Sequence, residues 1–371
     1  MRIGFDSTPL FGQRAGVGNY TGNLLAGLVQ AQPDWEYLLY SNRLLPILET
    51  ALQGTTAVSG YFPRSRWLWM QFMLPRIIRQ SPPDICHFPN NSAPLWVDVP
   101  YIVTIHDASL FLHHQYHPRS RILALRLLMP FIARRAAAVI TVSQHARGEL
   151  IKALSLLPER VHVIHEAASL DFQPCTCKDS LTELRHKYTL PEQFVLYVGT
   201  IEPRKNLIRI VQAINHLRQR KIRTPLVIAG QDGWKINASL KHEIEAHDLQ
   251  SDIYFLGYVP QEDLPGLYSL ATVFAFPSLH EGFGLPPLEA MACGTAVLTS
   301  KNSAMSEVCA DAAYLVNPHS VIEIANGLAH LLTDLALRKD YETRGITRAK
   351  QFSWQRVAEE TVDLYKTIAN A

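Results

Sequence analysis

Phe194-Val195-Leu196-Tyr197-Val198-Gly199-Thr200-Ile201-Glu202-Pro203-Arg204-Lys205-Asn206-Leu207 decides the architecture. It is a near-continuous apolar run, then a glycine, a proline and the start of an amphipathic segment. Such a run suits a strand buried on both faces, and the polar turn suits its passage into a crossover helix. The stretch lies midway along 371 residues, just after a break at 171–192 that holds Pro174, Cys175-Thr176-Cys177, a short helical piece at 181–187 and Pro191. The pattern therefore restarts here. Upstream, strands are expected at 3–6, 85–88, 101–105, 139–142 and 161–164; downstream at 194–199, 225–229, 253–256, 273–276, 296–299 and 314–316. Strands alternating with helices predict α/β architecture: two doubly wound, Rossmann-like domains in series, 1–185 and 190–353, with the helix in 354–371 joined to the first. Two such domains imply a cleft faced by the carboxyl ends of both sheets.

Composition fits two full cores, with 47% hydrophobic and 18% charged residues. Cys86, Cys175, Cys177, Cys293 and Cys309 are scattered; Cys-Thr-Cys is too tight for a metal knuckle, so reduced thiols are expected. Met1-Arg2-Ile3-Gly4-Phe5-Asp6 opens directly on a strand without a signal-peptide pattern, and the apolar stretch 122–142 is broken by Arg126, Pro130, Arg134 and Arg135. A cytoplasmic protein is expected, either free or peripheral on the inner face of the membrane. Net charge is +2, but residues 1–135 carry twelve arginines, no lysine and seven acids. That surplus is compatible with an anionic acceptor or membrane surface. No basic run interleaved with aromatics points to nucleic acid.

The chemistry concentrates in Ser278-Leu279-His280-Glu281-Gly282-Phe283-Gly284-Leu285-Pro286-Pro287-Leu288-Glu289-Ala290-Met291-Ala292-Cys293-Gly294. Pro286 suits a first helical turn and Gly294 a stop. The amides around Phe283, Gly284 and Leu285 would sit at the positive end of a helix dipole, a phosphate site flanked by Glu281 and Glu289. Arg204 and Lys205 also stand at a helix start, where cations oppose the dipole; an anion between them and the helix would relieve that cost. Gly16 and Gly18 open the first helix. Thr21 replaces the third glycine of a dinucleotide fingerprint, which argues against a nicotinamide or flavin. His106 follows a strand and so lies at a cleft edge. His113, His114 and His117 fall in a polar loop and do not read as a zinc site. The chain has no Asp-x-Asp to hold a divalent metal on a diphosphate, so a metal-independent, cofactor-free reaction is expected.

Taken together these residues closely resemble family 4 of the retaining glycosyltransferases, the large GT-B group. The likeness runs along nearly the whole chain: the Gly16/Gly18 loop, Thr104-Ile105-His106-Asp107, the Ser143 region, the Arg204-Lys205 turn, 226–230, 255–259 and the E-x7-E pair Glu281 and Glu289. Where many relatives read Pro-Asn-Gly, this chain has His165-Glu166-Ala167. The resemblance implies that Glu281 contacts donor sugar hydroxyls and Glu289 the nucleotide ribose. Arg204 and Lys205 would hold the diphosphate, helped by amides at Phe283, Gly284 and Leu285 and by Gly16 and Gly18 from the other domain. His106 would sit beside the transferred sugar, and Tyr258 and Val259 near the base. The opening residues look like bacterial polysaccharide mannosyltransferases using GDP-mannose. UDP-sugar or dTDP-rhamnose donors, a nucleotide-sugar epimerase and a non-catalytic binder are the alternatives. The acceptor would be a saccharide or lipid-linked saccharide. The segment from Arg64 through Arg66, Trp67, Trp69, Phe72 and Arg76 to Arg79 mixes arginine with large apolar residues. It reads either as a face resting on anionic membrane or as a core helix with solvated arginines.

Overall fold

A computed structural model of the chain describes residues 1–11, 16–43, 55–59, 65–112, 119–231, 233 and 237–370. Arg64, His113, His114, His117 and the bulky part of the first turn, Gly12 to Ala15, lie outside the described residues. Two compact units divide the chain: Met1–Glu166 with Ser353–Ala371, and Ala167–Phe352.

The first unit holds β1 (Arg2–Asp6), β2 (Glu36–Ser41), β3 (Thr55–Ser59), β4 (Ile85–Phe88), β5 (Tyr101–Thr104), β6 (Ala138–Thr141) and β7 (Val161–Val163). They form one parallel sheet in the order β3-β2-β1-β4-β5-β6-β7. β2 and β3 are absent from the sequence expectation. β2 is nonetheless a buried apolar strand, with Ile3 opposite Tyr37 and Phe5 opposite Leu39. One face of the sheet packs Ile3, Phe5 and Leu39 against Leu24 and Leu28 of the helix Val17–Ala31 and against Val357, Val362 and Tyr365 of the last helix, Trp354–Ala369. The opposite face covers Trp69, Leu74, Ile78, Phe88 and Val139. Gly27 lets the two helices touch: a Cβ there would lie 3.1 Å from the Trp354 carbonyl oxygen. A buried polar chain ties the last helix to the sheet. His87 Nδ1 lies 2.6 Å from the Tyr365 hydroxyl and its Nε2 2.8 Å from the Thr104 hydroxyl. Burial, helped by the charge of His106, lowers the His87 pKa to about 3, so the ring is neutral.

The second unit holds β8 (Val195–Val198), β9 (Leu226–Ala229), β10 (Ile253–Gly257), β11 (Val273–Phe276), β12 (Val297–Ser300) and β13 (Tyr314–Val316). This sheet too is parallel, ordered β10-β9-β8-β11-β12-β13. In both sheets the order reverses beside the unit's first strand, between β1 and β4 and between β8 and β11. Loops leaving those strand pairs diverge to opposite sides and open a crevice. The domain end expected at 185 falls instead between Glu166 and Ala167. The physical reason is the helix Lys178–Lys187, whose Leu184 would touch a Cβ on Gly266, while Lys187 pairs with Asp263 at 2.6 Å and the Cys175 amide donates to the Ser269 hydroxyl.

The aromatic-arginine segment is a helix in three parts, Arg66–Leu68, a π turn Trp69–Met73, and Leu74–Gln80. It is amphipathic: Trp69, Met70, Leu74 and Ile78 are buried, whereas Trp67 and Phe72 are more than half exposed. Arg66 pairs with Asp6 at 3.2 Å and Arg79 with Asp98 at 2.7 Å. Among the described residues no helix is long and apolar enough to cross a membrane.

Candidate functional site

At the reversal point of the second sheet, the loops after β8 and β11 meet. Pro203–Lys205 is a single 3-10 turn between β8 and the helix Leu207–Gln219. Asn206, left-handed at φ 65° and buried, staples the loops, donating from Nδ2 to the Pro277 and Pro318 carbonyls at 2.8 and 2.7 Å. The Leu279 amide donates to the Arg204 carbonyl at 2.8 Å. These bonds fix the backbone from which three charged side chains converge.

Glu281 is the centre. Its Oε1 accepts from Lys205 Nζ at 2.7 Å and from the Ser278 hydroxyl at 2.7 Å; its Oε2 accepts from Arg204 Nη1 at 2.7 Å. Arg204 is held further by the His280 carbonyl at 2.7 Å and by Glu202 Oε1 at 2.8 Å. Lys205 Nζ also lies 4.8 Å from the centroid of the Phe276 ring. Burial alone would raise the Glu281 pKa, but Arg204 and Lys205 outweigh it and hold the carboxyl at about 2. Burial weighs against the Lys205 ammonium and lowers its pKa, with Glu281 acting in the opposite sense. From sequence alone, a bound anion between the two cations and the helix start is expected to balance them. In the structure Glu281 and Glu202 balance them. With three donors on Glu281, of roughly four lone-pair sites, the group is a permanent anion and hydrogen-bond acceptor rather than a proton donor.

The helix Leu285–Ala292 follows. Gly284 caps it at φ 109°, where a Cβ would run into the Met305 side chain, so the position requires glycine. Pro286 and Pro287 carry no N–H, so the amides at this helix start belong to Phe283, Gly284 and Leu285. Glu289, on the helix, accepts at Oε2 from the Tyr268 hydroxyl at 3.0 Å. Burial, with the Glu289 charge, raises the Tyr268 pKa well above its usual value, so that phenol remains a donor. A cavity of about 540 Å³ lies in the same unit, lined by Ile201, Gly230, Gln231, Lys241, Phe255 and Tyr258. Gly230, at its wall, lets the backbone approach Gly199 closely, since a Cβ there would overlap the Gly199 carbonyl. Tyr258 lines this cavity; its neighbour Val259 is buried.

In the first unit, Gly16 precedes the helix Val17–Ala31 at φ 41°, with open space where a side chain would stand, and Gly18 is buried in its first turn. His106 follows β5. Its Nδ1 lies 2.9 Å from Glu166 Oε1 and its Nε2 3.0 Å from the Pro89 carbonyl oxygen. The Asn91 side chain accepts from its amide at 3.1 Å, and the Tyr20 ring packs edge-on at 4.7 Å. Both ring nitrogens are thus engaged within the unit. Glu166, Glu202, Asn206 and Tyr268 were not singled out from the sequence as site residues. They reach their partners only through the fold, save Glu202, which adjoins the Arg204-Lys205 turn.

Two family models match in succession: Glycosyltransferase Family 4 over residues 14–172 and Glycosyl transferases group 1 over 182–348. O-antigen chain mannosyltransferase B of Escherichia coli is 32% identical over 384 residues, 99% of this chain and 100% of that protein. Serotype-specific mannosyltransferase WbdA of the same organism is 34% identical over 278 residues, 72% of this chain but 33% of that longer protein. Among solved structures, Anabaena HepE in complex with UDP and glucose superposes with a TM-score of 0.78 at 17% identity, over 98% of this chain and 99% of that one. Likeness at that identity speaks to fold, which is GT-B. Similarity sustained over the whole length of a relative goes further: the chain belongs to the family 4, or group 1, glycosyltransferases and is a hexosyltransferase.

Proposed function

We propose that the enzyme transfers a mannosyl group from GDP-mannose, with retention and without a metal, to a saccharide or lipid-linked saccharide during surface polysaccharide synthesis. The observation that carries the mannosyl assignment is the full-length similarity to an O-antigen mannosyltransferase. Glu281, ionised at any neutral pH, is assigned to the sugar hydroxyls and Glu289, oriented by Tyr268, to the ribose. Arg204 and Lys205, the amides of Phe283, Gly284 and Leu285, and Gly16 and Gly18 are assigned to the diphosphate. The cavity at Tyr258 and the neighbouring Val259 are assigned to the base, and His106 to the transferred sugar.

Breaking the sugar–phosphate bond builds negative charge on the leaving diphosphate, which fixed cations and amides stabilise. The acceptor hydroxyl then attacks the anomeric carbon on the face the phosphate leaves. A new C–O bond forms as the old one breaks, and the acceptor's proton passes to the departing phosphate oxygen. Closure over the donor would keep water out and suppress hydrolysis.

A donor that binds only the folded chain raises its apparent stability. GDP-mannose should therefore give the largest thermal shift in a screen of nucleotide sugars with EDTA present. A larger shift with UDP-glucose or dTDP-rhamnose would reassign the donor, and no shift with any would overturn the reading. Trp67 and Phe72, with Trp96 stacked under Arg135 at 4.8 Å, support a peripheral contact with anionic membrane. Changing Trp67 and Phe72 to Ser should weaken sedimentation with phosphatidylglycerol vesicles several-fold; equal sedimentation would remove that contact.

A further inference from the structure

We propose that Glu166 is a positioning residue that fixes His106 with a hydrogen on each ring nitrogen, so that His106 serves sugar transfer as a cationic group and never as the base. The proposal rests on the reading that His106 belongs to the transfer site. A backbone carbonyl only accepts hydrogen bonds, so the Pro89 oxygen, 3.0 Å away, requires a hydrogen on Nε2. An ionised carboxylate likewise only accepts, so Glu166, 2.9 Å from Nδ1, requires a second. The ring then has no lone pair left.

The ring is also packed on one side and its backbone is tied down. The Tyr20 ring packs edge-on at 4.7 Å, and the backbone amide of His106 is bound to Asn91. His106 and Glu166 are both largely buried, with side chains 14% and 6% exposed, which strengthens their attraction. The charged or titratable groups facing the ring are Glu166 from the chain after β7, Asp107 from its own loop, Tyr20 from the first helix and His87 on β4. Burial opposes the imidazolium, but Glu166, the Pro89 carbonyl and Asp107 together raise the pKa above its ordinary value. His87, which shares the Thr104 hydroxyl with Tyr20, is driven the other way and stays neutral.

The chemical consequence concerns the proton. With His106 unable to accept it, the proton of the acceptor hydroxyl is left to the departing diphosphate oxygen that same-face attack supplies. Glu166 then acts on the reaction only through the charge and orientation of His106.

The test uses the full chain labelled with ¹⁵N-histidine and follows the His106 nitrogens by NMR from pH 5 to 9. Both should remain protonated at pH 7, and in Glu166→Gln the midpoint should fall by about one pH unit or more as burial goes less opposed. Glu166→Asp should restore part of the shift. In transfer assays Glu166→Gln should lose roughly ten-fold in kcat with donor KM within about two-fold, and the loss should deepen as pH rises; a purely structural role would leave the pH profile unmoved. A neutral His106 at pH 7 in the parent chain, or an unmoved midpoint in a folded Glu166→Gln, overturns the proposal. The parent titration needs no variant to fold. The titration also needs no activity, so an enzyme that moved no mannose would refute the transfer reading and leave this measurement standing.

Discussion

The two units place buried ion pairs near the carboxyl ends of their sheets, and the pairs are of opposite kinds. In the second unit one acid, Glu281, is gripped by two cations, Arg204 and Lys205. In the first unit one titratable base, His106, is held by a single acid, Glu166. The first arrangement makes a charge that pH does not reach, since the Glu281 carboxyl stays ionised down to about 2. The second makes a charge that depends on one neighbour. Any pH dependence of activity between about pH 6 and 8 should therefore originate in the unit holding His106, where an imidazole titrates by default.

The harshest way to break this comparison is Glu281→Gln. It removes the shared partner of Arg204 and Lys205 and the anion assigned to the sugar. Transfer should fall on the order of 10²–10³-fold, with the far-ultraviolet circular dichroism unchanged. Full retained activity would take Glu281 out of the reaction.

A middling effect comes from His87. Its folded pKa, about 3, lies below the ordinary value near 6.5. The unfolded chain therefore binds a proton first as pH falls. The stability from neutral His87 is complete above about pH 6.5 and declines by roughly 1.4 kcal/mol per pH unit down to the folded pKa. His106, whose pKa is raised, has the reverse sign: its contribution is complete below the unfolded value and is lost as pH rises through the folded one. Between pH 7 and pH 5 the parent chain should lose about 2 kcal/mol more stability in urea unfolding than His87→Gln does. Equal slopes in parent and variant would mean the ring is not held neutral.

The smallest effect sharpens the contrast inside the second unit. Tyr268→Phe removes one hydrogen bond from Glu289 and should raise donor KM about five-fold, the equivalent of about 1 kcal/mol, with kcat nearly unchanged. A change confined to kcat would place Glu289 in the chemical step instead of on the ribose.

The fold was legible wherever a strand is a short, continuous apolar run with turn residues on both sides. β4, β11 and β13 fall where the sequence puts them, and most others shift by a residue at an end, as hydrogen bonding rather than composition sets the limit. β2 escaped although Tyr37-Leu38-Leu39-Tyr40 carries the signal; the Asp34-Trp35-Glu36 lead-in directs attention to charge instead. β3, Thr-Thr-Ala-Val-Ser, is short and polar, and its pairing with β2 is what makes it a strand. In the site, the residue types were legible and their pairing was not. Arg204, Lys205 and Glu281 stand out singly, but that they bind one another depends on two loops more than seventy residues apart meeting at the reversal of the sheet. Glu166, sixty residues from His106, is invisible for the same reason.

The last helix has a consequence for how the molecule is made. Trp354–Ala369 supplies one wall of a core whose other walls are built from β1, β2 and the helix Val17–Ala31, so the contact between His87 and Tyr365 spans 278 positions of sequence. During synthesis the first unit emerges first yet waits for the second to be translated before its core can close. Until then Leu24, Leu28 and Phe5 lack their cover, and closing so long a loop is slow. The unit begun first is thus the unit finished last, and the second can fold while the first is still incomplete.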